Sequence, residues 1–361
     1  MTESHRWLRS LLVMALLCIA SALEAQRATW RMDTTPLMRL GASDAADEVL
    51  AAPVSATRLP NGNVVVGDVG EWALREYSPQ GRVVKRYGRK GRGPGEISYL
   101  FYLFRCGDSL VTKDLQGPVS VFDLKGTFIR AFHLKTMPYR MAANAKMHFV
   151  AMGWEANNAI KGEVNRSPAD YWLARADTNT EVQLGKMPGA ERIGPLNYPL
   201  GREPRVAIGL TTAYVALGDS MEVRRFDLQG RPMTSLVDRF QRVSATHADL
   251  EAAREREIAM MGERSRQEIT NRYAQMPLAR YLPATRELVV DRDDNLWVEH
   301  FPRAASPTVR WTVFSPQGQV RATIDLPAVF DVYEVGRDYI LGRYIDPNTS
   351  VPEVRLYRLR R

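Results

Sequence analysis

The chain reads as short strand-like apolar runs separated by polar turns, with one long exception. Ala73–Tyr77 and Val83–Tyr87 form one such pair of runs, and Arg310–Phe314 and Val320–Ile324 form another. The turns between paired runs repeat: Tyr77-Ser-Pro-Gln-Gly81, Phe122-Asp-Leu-Lys-Gly126, Phe226-Asp-Leu-Gln-Gly230 and Phe314-Ser-Pro-Gln-Gly318. Each closes on a glycine, which suits the left-handed place of a short hairpin loop. Two degenerate members, Tyr171–Ala176 and Val354–Arg358, complete the series. Taking Trp172 and Tyr357 as their anchors, the aromatics advance by 45, 50, 54, 88 and 43 residues.

A second hairpin signal precedes each aromatic. Asn61-Gly62 stands before Val64–Gly67, Gly107-Asp108 before Leu110–Thr112, and Asn144–Lys146 before Phe149–Met152. Thr211-Thr212, Asp293–Asn295 and Gly336-Arg337 play the same part in the later units. About four strands per unit at this period predict an all-β fold, a six-bladed β-propeller. The chain stops after the third strand of the last unit, so an outer strand is missing. Pro36–Gly41 resembles the outer strand Val83–Gly88 and has no other role. It is expected to complete the last blade and close the ring, removing exposed edges.

The 88-residue step holds the exception, a segment over 240–276 rich in Glu, Arg, Ala, Gln and Met. Leu250, Ile258, Met261, Ile269, Tyr273 and Met276 fall on one face of a helix, or of two helices breaking near Gly262. A helical insert between the fourth and fifth blades is expected. It would serve as a lid over the channel, as a surface for a partner, or simply as packing on the propeller.

The N-terminus changes the picture of where the protein works. His5, Arg6 and Arg9 precede the apolar stretch Leu11–Ala20, which is too short to span a bilayer. Residues 1–25 read as a signal peptide, cleaved after Ala22 or Ala25, leaving 26–361 as the propeller. Leu17 before Cys18 argues against a lipid anchor there. A periplasmic or extracellular monomer is expected, with no transmembrane segment after signal removal. The exported chain keeps only Cys106, which has no internal partner for a disulfide and is expected to be buried. The charge is +8, from 49 Lys+Arg against 41 Asp+Glu, with 45% hydrophobic residues. Because the bases are dispersed and largely arginine, nucleic acid is not an expected partner.

Tyr87-Gly-Arg-Lys-Gly-Arg-Gly-Pro-Gly-Glu-Ile97 lacks the Gly-Lys-Ser/Thr of a nucleotide-binding loop. Its backbone N–H groups beside Arg89, Lys90 and Arg92 could cradle an anion, or the glycines could serve a tight blade-to-blade crossing. This GPGE-containing segment, the repeated aromatic turns and Asp68 after Val64–Gly67 resemble the bacterial six-bladed propellers related to NHL-repeat proteins. The resemblance covers nearly all of the exported chain, apart from the helical insert. It implies a fold and export rather than a reaction.

In a propeller, the loops after second strands share one face with the blade-to-blade loops. The ligand-binding candidates on that insert-bearing face are Asp68, Trp72, Arg92, Glu96, Asp114, Trp154, Asn157, His300, Arg343 and Tyr344, each with a turn or packing role as the competing reading. The expected function is non-catalytic binding of a small ligand or an exported protein, without a cofactor. The alternative is a divalent-cation-dependent hydrolase or lyase, lactonase-like, with Ca²⁺ in the channel on Asp68, Asp114 and Asn157. His133, His148, His247 and His300 show no zinc-ligand spacing, and no catalytic residue stands out.

Overall fold

The computed structural model describes residues 28–361, apart from 43–47, 156–162, 177, 179, 305, 347, 348 and 350. The expected signal peptide and Asn157 lie outside the described residues. Among the described residues the chain builds six sheets in sequence order, each on an antiparallel run of three or four strands, interrupted only in the third by Val164–Asn165, which joins a small three-stranded sheet. The first sheet runs Pro53–Arg58, Val64–Asp68, Ala73–Tyr77, Val83–Tyr87, and the second follows the same path from Leu100 to Phe132. The third to sixth begin with Pro138–Ala143, Arg205–Ile208, Thr285–Val290 and Phe330–Val335. These opening strands are innermost. Each lies beside the next, and Phe330–Val335 returns to Pro53–Arg58.

Apolar side chains fill the gaps between neighbouring sheets rather than one central core. Leu59, Val65 and Leu74 meet Leu100, Leu103 and Leu110 between the first and second sheets. Val64, Val66 and Tyr77 meet Leu341, Val354 and Leu356 between the first and the sixth. The arrangement is a β-propeller around a central channel. Gly81, Gly126, Gly230 and Gly318 all hold φ between +79° and +92°, as the repeated turns require.

The N-terminal segment bridges the end of the ring. Met38–Leu40 pairs antiparallel with Pro352–Arg360, and Arg39 forms a bidentate ion pair with Glu353. Upstream, Arg31–Met32 pairs with the same strand, while Ala28–Thr29 runs parallel to Val320–Pro327 in the fifth sheet. Trp30 between them packs on Trp297 in the gap between the fifth and sixth sheets. Two-residue strands carry no periodicity, so the sequence showed only the first of these contacts. Cys106 is a buried free thiol, and burial pushes its pKa up to about 12.

Between the fourth and fifth sheets lie two helices, α1 (His247–Met261) and α2 (Arg266–Tyr273). The helical start is at 247 rather than 240, because Thr246 and Asp249 form a capping box there. Gly262, at φ +90°, ends α1. Leu250, Ala253, Ile258, Ile269 and Tyr273 bury one face against Leu200 and Leu282. Met261, expected on that face, is 59% exposed: it is the last residue of α1, at the turn where Gly262 ends the helix. Among the described residues, no helix is long and apolar enough to cross a membrane.

Candidate functional site

Asp68 and Asp114 end the second strands of the first two sheets and do the same job. Asp68 accepts backbone N–H groups from Ala51 and Ala52 at 2.9 Å, one from Gly70 at 3.1 Å, and Arg75 Nη2 at 2.7 Å. Asp114 accepts from the Ser98 backbone at 2.6 Å and the Ser98 hydroxyl at 2.7 Å. Each carboxylate thus satisfies the backbone of the crossing that leads into its own sheet. Among the described residues no group of three or more His, Cys, Asp or Glu side chains is placed to hold a metal.

The glycine-rich crossing already holds an anion of its own. Glu96 folds back so that Oε2 accepts the Gly93 N–H and Oε1 accepts Arg89 Nε, both at 2.8 Å. The Gly93 N–H, then Arg89, hold its carboxyl below the usual range. A Cβ on Gly91 would meet Oε2 at 2.0 Å, which accounts for glycine there. Arg92 is exposed. Trp72 sits at φ +55°, edge-on to Tyr99 and under Lys90 Nζ. These groups belong to a loop scaffold at the rim.

Nearer the axis the same face carries a layer of charge. The inner strands open with Arg140, Arg205, Arg286, Glu287 and Asp331. Glu203 binds Arg140, accepts Arg205 Nη2 at 3.0 Å and takes the Tyr139 hydroxyl at 2.7 Å. Arg286 bridges Glu299 at 2.7 Å and Asp331 at 2.9 Å, and Arg343 closes on Asp331 at 2.6 Å. Arg140, Arg286 and Asp331 keep 24–28% of their side-chain surface accessible, so the layer is open to solvent rather than part of a dry core. Glu299 is only 2% accessible, and its Oε2 has no hydrogen-bond partner. Burial raises its pKa to about 7 despite Arg286.

Helix α1 sits beside this layer. Asp249 Oδ1 accepts the Ala304 N–H at 2.9 Å, tying the helix to the loop after Leu296–His300. Arg256 on α1 lies within electrostatic reach of Arg286, Asp331 and Glu299, and desolvation followed by Arg286 lowers its pKa. It makes no hydrogen bond or ion pair among the described residues. Of the sequence candidates, Arg343 joins this cluster. Trp154, 45% exposed, stacks edge-on against Tyr139 at its border. His300 instead pairs with the Thr312 hydroxyl at 2.9 Å, and burial lowers its pKa. Tyr344 lies under the Arg355 guanidinium, against the core of the fifth and sixth sheets. Sequence reasoning missed Arg140, Arg205, Arg286, Asp331 and Glu299. The available signal was a charged residue recurring near the start of each later inner strand.

The opposite mouth of the channel forms a cavity of about 330 Å³ where the inner strands end. Residues from all six sheets line it, among them Thr57, Phe104, Arg105, Asn144, Ile208, Asp294, Arg292 and Glu334. This face bears the turns between first and second strands, away from the face the sequence candidates occupy.

No family model matches the chain, and no curated protein matches it in sequence. Its fold is similar to that of a Bacteroides fragilis protein described as exported, at 11% identity and TM-score 0.50, covering 92% of this chain and 95% of the other. A DUF4221 family member from Bacteroides vulgatus aligns at 7% identity and TM-score 0.51, covering 93% and 99%. At these identities the likeness concerns fold alone.

Proposed function

We propose that this chain is an exported six-bladed β-propeller, closed by its N-terminal strand, that binds a small anionic ligand at the insert-bearing mouth without transforming it. Export is supported by the signal-like N-terminus and by the shared fold of a protein described as exported. The observation that carries the binding reading is Arg256. A guanidinium on the helical insert stands beside Arg286 with no counter-ion of its own. Around it Arg256, Arg286 and Arg343 stand against Asp331 and a Glu299 that is largely protonated below pH 7, while Glu287 close by is engaged by Arg205 at 3.2 Å. An anion seated under the helix would relieve that excess, and the desolvated setting would strengthen the contact.

The test is a thermal melt of the exported chain with succinate or inorganic phosphate at constant ionic strength. Saturating anion at a hundredfold excess over its dissociation constant should stabilise the fold by about 2.7 kcal/mol. Arg256→Ala should fold normally, since the side chain makes no hydrogen bond, and should lose the response. No stabilisation by either anion, or an equal response in the variant, would sink the reading.

A further inference from the structure

The cavity at the opposite mouth contains two charges that the protein leaves unanswered. Arg105 projects from the inner strand of the second sheet, and among the described residues its one hydrogen bond is a long one of 3.4 Å to the Gly107 carbonyl. Its Nε is buried without a partner. Arg292 repels the guanidinium, while Glu334, the carboxylate that acts on it from the same cavity, is already held by Arg292 at 2.9 Å, and Asp108 acts on it more weakly. Desolvation, then Arg292, lower the Arg105 pKa against the opposing pull of Glu334, Tyr339 and Asp108.

Asp294 is its mirror image in charge. It lies in the turn of the fifth sheet, three places around the ring of six and therefore across the channel. Its Oδ1 accepts the Leu210 N–H at 2.8 Å, and its Oδ2 has no partner among the described residues. Gly209 has no side chain to obstruct it, since a Cβ there would meet Oδ1 at 2.4 Å. The charge that acts on it is another carboxylate, Asp291, already answered by Arg361 at 2.9 Å. Burial raises the Asp294 pKa, as expected for a carboxylate without a cation. Arg105 and Asp294 line one cavity yet form no ion pair with each other.

We propose that this cavity binds a small zwitterion, an amino acid or dipeptide with free termini, its carboxylate on Arg105 and its ammonium on Asp294. A simple anion would leave Asp294 facing a second negative charge, and a simple cation would crowd Arg105 and Arg292. Only a molecule carrying both charges answers both sides. Leu103, Phe104 and Ile208 offer apolar surface to the part between them.

Isothermal titration of the exported chain with L-alanine, the free alanine dipeptide, its N-acetylated form and its C-amidated form tests this at constant ionic strength. At least one free zwitterion should bind, and comparing the two shows which length fits. Blocking either terminus should weaken binding at least tenfold, as should Arg105→Gln and Asp294→Asn. These ligand comparisons stand even where a variant fails to fold. Running every titration in the Arg256→Ala background removes anion binding at the insert-bearing mouth, so that the binding read belongs to this cavity. Absence of binding by both free zwitterions overturns the proposal. So does equal binding of a blocked form.

Discussion

At the scale of single residues, the group with the clearest solution consequence is Glu299. A carboxyl with a folded pKa of about 7 holds its proton more tightly in the native state than in the unfolded chain, where 4.5 is usual. Its contribution to stability is therefore complete below about pH 4.5 and is lost as pH rises through about 7. The shift corresponds to roughly 3 kcal/mol at the alkaline end. Glu299→Gln keeps an oxygen for Arg286 and removes the titration. Urea unfolding at a series of pH values should show the variant gaining on the wild type by up to roughly that amount between pH 5 and 8. A difference that stays constant with pH would contradict this. Residue chemistry was also where the sequence was least legible. Asp68 and Asp114 were visible because they stand at periodic turn positions, and the same periodicity reflects their backbone-capping work. Glu299 and Arg286 are ordinary letters inside strands, and only the packing of the fifth sheet against the sixth brings them to Asp331.

At the scale of elements, the helices depend on a few polar anchors. The apolar face of α1 and α2 packs on Leu200, Leu282 and Phe301, while the capping box fixes where the first turn begins. Thr246→Ala should destabilise the protein by about 1 kcal/mol, the usual value of an N-cap. Asp249→Ala should cost more, because its carboxylate satisfies both Thr246 and the Ala304 N–H. Thermal melts would rank the two, and hydrogen exchange would place the loss in 247–273. An Asp249 variant as stable as the Thr246 variant would mean that the tether to Ala304 contributes nothing. The helical period was readable from Leu250, Ile258, Ile269 and Tyr273. The same spacing placed Met261 inside, yet it is the last residue of α1, beside Gly262, and is found outside. The glycine-rich crossing was equally conspicuous in sequence, yet the partner of its backbone N–H group is Glu96 from the same motif.

At the scale of the whole molecule, the ring is held by six apolar gaps, and the one between the sixth and first sheets depends on residues from both ends of the chain. The repeat of aromatic–x–x–x–Gly turns made this architecture legible, since a propeller unit cannot bury its faces without neighbours. The missing outer strand followed from counting hairpins. The second tie, through Trp30 into the gap between the fifth and sixth sheets, had no repeat to reveal it. Met38 and Leu40 are buried in the closing gap, at 8% and 1% exposure. Replacing both with aspartate would bury two unpaired carboxylates and peel Met38–Leu40 from Pro352–Arg360. Each lost apolar side chain is worth about 2–5 kcal/mol, and the desolvated charges add to that. The double variant should therefore melt far below the wild type. It should also self-associate, because the freed edge of Pro352–Arg360 offers unpaired backbone groups to other copies. Light scattering behind size exclusion, read together with the melt, separates two outcomes. Destabilisation with association identifies the N-terminal strand as the closure of the ring. An unchanged melt would mean that Trp30 and the Ala28–Met32 segment hold the ring shut alone.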